Sequence, residues 1–220
     1  MFVYSCYREG FVVGLSVEVG VLEHLLVVDP EGADWLGSAL TAASDLVVED
    51  GGAAHSEPTD LPRLVSRAPL LSYPYSDLHR LRRVYAYTMS KPGWEFAPPA
   101  PGEDPAQDPV VEEETFMMSS HLLCHSDSEG FYLPVDFADF ASGDVVGGMV
   151  GSTHRLRSEL LTVAPVLGIS VADSLSDEEA AKLTESIKGQ EGPWVERAVW
   201  FSHWEAARLS LEHSTAIVYT

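Results

Sequence analysis

Apolar residues recur along this chain with two spacings, in short β-branched and aromatic runs and in longer stretches at helical intervals. Residues 2–7 (FVYSCY) and 11–19 (FVVGLSVEV) are of the first kind, and Arg8-Glu9-Gly10 between them supplies a turn, so a hairpin is expected there. The apolar run from Val21 to Val28 admits a strand or a short helix, and Asp29-Pro30 ends it. Over residues 34–46, Trp35, Leu36, Leu40 and Ala43 follow a helical period. A further helix is expected over 76–87, with Ser76 as its cap and Leu78, Leu81, Val84 and Tyr85 as its apolar stripe.

The second half gives clearer signals. Residues 116–124 and 130–134 flank the turn-forming Ser126-Asp127-Ser128-Glu129-Gly130, which reads as a second hairpin. Ser152 or Thr153 caps a helix that begins near His154. Ser176 with Glu179 forms a capping box, and Pro193 opens the longest helix, with Trp200, Trp204, Ala207 and Leu211 on its core side. Ile217 to Tyr219 lie in an apolar run that fits a strand buried on both faces. Together these predict an α+β fold: a mixed or antiparallel sheet built from hairpins and a C-terminal strand, with the helices packed on one face.

Residues 91–114 break this pattern. Six of the 14 prolines fall there, with one lysine against seven acids, so the segment reads as an acidic crossing loop within one domain over 1–220, or as a linker between two subdomains. Trp94 and Phe96 favour a loop docked by its aromatic side chains.

Charge changes the picture more than any motif does. The chain has 34 acidic and 13 basic side chains, a formal net charge of −21 and a pI near 4.5. That field repels nucleic acid, nucleotide phosphates and anionic lipid, so neither direct nucleic-acid binding nor membrane binding is expected, and a basic protein is the favoured partner. No leader or membrane span is apparent, which predicts a cytoplasmic protein, and the bias towards Ala, Gly and Arg points to a GC-rich bacterial genome. The leading expectation is a non-enzymatic protein, without a cofactor, that neutralises a basic partner as an immunity protein or a nucleic-acid mimic. Trp94, Glu103, Asp104, Asp108, Glu112, Glu113, Asp127 and Glu129 are the expected contact residues. Arg80, Arg82 and Arg83, the one dense basic island, are expected to pair with carboxylates inside the fold.

The alternative is a metal-dependent hydrolase. His121, His125, Asp127 and His154 would hold a divalent cation, with Glu129 or Asp136 as general base. On a strand, however, His121 and His125 stand roughly 13 Å apart and cannot share one ion. Cys6 and Cys124 lie outside any CxxC pattern and are expected to be buried free thiols.

Overall fold

A computed structural model describes residues 14–220, so the first strand and the turn of the N-terminal hairpin lie outside the described residues. Six strands form one mixed sheet. In chain order they are β1 (Gly14–Val19), β2 (Ser72–Pro74), β3 (Gly130–Leu133), β4 (Ala141–Ser142), β5 (Met149–Ser152) and β6 (Ile217–Tyr219), arranged β2-β1-β6-β3-β5-β4. Every pairing is antiparallel except β3 with β5, where Tyr132 lies opposite Gly151. Gly151 is required by that register, because a Cβ there would stand 2.3 Å from the Tyr132 ring. The C-terminal strand is central, as expected, and buried throughout.

Eight α-helices accompany the sheet among the described residues: α1 (Val21–Val28), α2 (Pro30–Glu49), α3 (Tyr75–Ser90), α4 (Pro109–Phe116), α5 (His121–Cys124), α6 (Thr153–Val163), α7 (Asp177–Lys188) and α8 (Trp194–His213). The α+β class holds, with one amendment: helices cover both faces. Side-chain alternation along β3 and β6 shows how. Tyr132, Ile217 and Tyr219 join a core with α3 to α8, whereas Phe131, Leu133 and Val218 face Leu36, Leu40, Ala43 and Val47 of α2. Trp200 and Trp204 of α8 lie in the larger core. Their rings stack 5.1 Å apart, and the Trp200 indole N–H donates to the Leu160 carbonyl.

Local signals were sufficient at several termini. Ser176 accepts the Glu179 N–H at the start of α7, and Ser152 accepts the Arg155 N–H at the start of α6. Asp29 ends α1 and caps α2 through the Gly32 N–H. Ser76, by contrast, is no cap, because α3 starts one residue earlier behind Pro74.

Two expectations fail for physical reasons. The second hairpin does not form: Ser120 caps a helical turn at α5, and β3 pairs with the distant β5 and β6 instead. The 91–114 prolines do not exclude helix. Pro105 and Pro109 each occupy the first position of a helical turn, where a missing N–H costs nothing, behind the capping carboxylates of Asp104 and Asp108. The segment is docked by its aromatics, as Trp94 and Phe96 favoured: both pack against the larger core, Trp94 beside Tyr87 and Phe96.

Candidate functional site

The expected chemical centre is dominated by structural bonding. The His121 ring accepts the Ser152 N–H at Nδ1 and meets the Ala138 carbonyl at Nε2. His125 is enclosed between the Ser126 and Phe131 carbonyls and stacks 4.1 Å from Tyr132, and burial pushes its imidazole down to about 4. Asp127 bonds His79 at 3.0 Å, and His154 is exposed on α6. Among the described residues no three His, Cys, Asp or Glu side chains come together to hold a metal ion. The four residues of the metal-centre expectation are therefore not brought together. Cys124 is a buried free thiol whose titration burial pushes up; Cys6 lies outside the described residues.

The basic island is committed internally as well. Arg83 pairs with Asp108 at 2.8 Å and stacks over the Tyr87 ring, and Arg80 lies 3.6 Å from Glu196. Arg82 differs from the expectation: its guanidinium donates to the carbonyls of Leu122, His125 and Ser126 rather than to a carboxylate.

The residues expected to meet a partner divide into two groups. Asp108 is occupied by its cap and by Arg83, Glu103 accepts the Ala100 N–H, and Asp104 accepts the Ala106 N–H. Trp94 is half-buried in its aromatic group, so it is not an outward anchor. Glu112, Glu113 and Glu129 are exposed.

A different acidic surface emerges from the topology. Apart from Arg8, every lysine and arginine falls within 63–91 or 155–208, while 14–62 and 92–154 contain none. The first basic-free stretch supplies α1 and α2; the second supplies α4 and α5, which pack in the α3 layer, and then β3, β4 and their connections, which reach α2. These last elements meet it on the α2 side of the sheet, where the solvent face of α2 carries Glu31, Asp34, Asp45 and Glu49 and the helix ends at Asp50. Beside its C-terminus, Val47, Asp50, Gly51 and Gly52 form a cleft of about 430 Å³ with residues 136–139, which brings Asp50, Asp136 and Asp139 around one hollow. Asp144 is exposed on the adjoining loop. Arg155 is the local exception; it pairs with Asp136 at 2.9 Å and also donates to the Phe137 carbonyl, so it holds this loop in place. The basic side chains of α3 and α6 to α8 belong to the opposite layer.

Among known families, the chain matches the model described as "Putative DNA-mimic protein" over residues 13–219. The chain belongs to this family. No curated protein and no solved structure matches it. Family membership supports an acidic, protein-binding role rather than an enzymatic one. It also corrects the expectation about partners. Charge had set nucleic acid aside and left any basic protein as the partner, whereas a DNA mimic takes DNA as its reference and is met by proteins that bind DNA. Sequence reasoning missed the α2 surface, although the absence of lysine and arginine from 14–62 was open to counting.

Proposed function

We propose that α2 and the 136–144 loop form a DNA-like face that a DNA-binding protein engages in place of phosphates. The observation that carries the reading is the run of exposed carboxylates that α2 and the 136–144 loop present, with Arg155 paired among them, in a chain of the DNA-mimic family. From Glu31 to Glu49 the helix rises about 27 Å. One strand of a duplex places roughly eight phosphates along that length. The face offers Glu31, Asp34, Asp45, Glu49, Asp50, Asp136, Asp139 and Asp144, of which Asp136 pairs with the Arg155 guanidinium. Four of these lie along the helix, about half the charge of one DNA strand over that length, and Asp50 with the 136–144 loop adds four more at its C-terminal end, on a sheet-backed helix.

A nuclease toxin is one member of the partner class, and for such a partner mimicry and immunity describe the same contact. The reading keeps the expected cytoplasmic location, where proteins of this class act on DNA; no described helix is long and apolar enough to cross a membrane. The test is displacement. Lysate of the source organism is bound to double-stranded DNA on cellulose, and the chain is applied at constant ionic strength. Release of a specific DNA-binding protein by the chain, and not by an unrelated protein of equal net charge, is the expected result; no release beyond that control would overturn the proposal.

A further inference from the structure

The α1 helix has the composition of a buried helix without the burial. Six of its eight residues in VLEHLLVV are apolar, yet Leu22 alone is buried, and it packs on Gly37 of α2. A helix apolar around most of its circumference is ordinarily covered. Here Leu26, Val27 and Val28 are left exposed, Val27 by 78%, and Trp35, 60% exposed, projects from the second turn of the adjoining α2. Single exposed apolar side chains are common, but here three occupy the last turn of α1 and Trp35 stands on the helix packed against it, which concentrates exposed apolar surface at one corner. The patch is edged by the exposed carboxylates of Asp29, Glu31 and Asp34, at the N-terminal end of the acidic face.

We infer that this corner is the apolar anchor of the interface, and that it receives an apolar side chain set among the basic groups of the DNA-binding partner. The inference rests on the proposed DNA-like face and deepens it. Charge selects the occupant: a second copy of the chain would bring two acidic rims together, whereas a partner with basic groups around an apolar contact satisfies both the rim and its centre. The arrangement has a consequence that phosphate mimicry alone lacks. Attraction between DNA and its proteins falls about 10³- to 10⁵-fold between about 50 and 200 mM salt. Apolar burial is not screened by salt, so an anchored mimic gains on DNA as ionic strength rises.

The experiment uses the full chain, Trp35→Ala, Val27→Ser and Asp45→Lys, each applied to DNA-cellulose carrying the source organism's DNA-binding proteins at about 50 and about 200 mM salt. Wild type is expected to release its partner more effectively, relative to free DNA, at the higher salt. Trp35→Ala and Val27→Ser are expected to need at least about tenfold more protein for the same release there, with unchanged thermal midpoints. If Asp45→Lys impairs release while the two apolar variants behave as wild type, the anchor is overturned and the DNA-like face stands. If wild type releases nothing, both fail. Wild-type dimers that dissociate on Trp35→Ala in sedimentation, or a lowered thermal midpoint in the apolar variants, would show that the patch is covered by a second copy or by the chain itself, and would also overturn the anchor.

Discussion

Arg82 and Glu159 hold opposite ends of the same four-residue helix. The Glu159 carboxylate accepts the N–H groups of His121 and Leu122 at 2.9 and 2.7 Å, and the Arg82 guanidinium donates to the Leu122 carbonyl at 2.9 Å and to those of His125 and Ser126 beyond it. An acid at the N-terminus and a base at the C-terminus complement the backbone dipole, and both lie in a nearly dry environment. A helical turn this short does not persist alone. It is imposed here by α6 from one side and α3 from the other.

Replacing Glu159 with Ala orphans two buried N–H groups, which should cost about 3 kcal/mol. Urea unfolding should show a lower midpoint with an unchanged slope. A midpoint equal to that of wild type would mean that water or another acceptor takes over the cap.

Glu159 also gives a pH signature. Burial outweighs its N–H donors and pushes the carboxyl up to about 7 from an ordinary 4.5. A raised folded-state value favours the protonated form in the native chain, so this contribution is fully present below about pH 4.5 and is lost as pH rises through about 7. Glu159→Gln does not titrate. The stability of wild type relative to Glu159→Gln should therefore fall between about pH 5 and 8, and a pH-independent difference would refute the shift.

Glu205 titrates in the opposite sense. Its side chain is fully enclosed and receives the Arg67 guanidinium at 2.6 Å and Arg208 at 3.0 Å, and these partners overcome desolvation to hold it at about 2. The stabilisation is present above about pH 4.5 and is lost as pH falls towards 2. Arg67→Met removes one partner from a buried carboxylate and detaches the segment before β2 from α8. A loss of about 3–5 kcal/mol at neutral pH is expected by thermal or urea unfolding, and a loss below 1 kcal/mol would show that Arg208 suffices, on the scale of an exposed pair.

These contacts explain which parts of the fold were legible. The Ser176 cap of α7 and the β6 run are local, contained in a few consecutive residues, and both appear as expected, although the Glu179 side chain accepts the Ser170 N–H rather than closing a capping box. The α5 turn depends on side chains about 40 positions away on either side, so its apolar sequence reads as a strand until Arg82 and Glu159 are in place. The hairpin expected at 126–130 fails for a related reason: β3 is satisfied by β5 and β6, and local turn chemistry says nothing about which distant strand will supply the ladder. At the candidate surface, total charge was legible but its location was not. Asp108 and Glu103 look as available in sequence as Asp45 and Glu49, and only the folded chain shows that the first pair is already bonded.

That distinction yields the sharpest test of the DNA-like face. Asp45→Lys with Glu49→Lys on α2 changes the formal net charge from −21 to −17, since each acid-to-lysine change adds two. Glu112→Lys with Glu113→Lys on α4 makes the same change at another exposed acidic site. The two double variants share one net charge and differ only in where the reversal sits. At about 0.1 M salt the screening length is about 10 Å, so a carboxylate matters chiefly to groups it nearly touches. In the DNA-cellulose displacement assay the α2 variant should need at least about tenfold more protein than wild type, and the α4 variant less than about threefold. The reverse order would move the interface to α4 and the residues at 103–113, and equal effects would mean that the partner senses net charge rather than a shaped face.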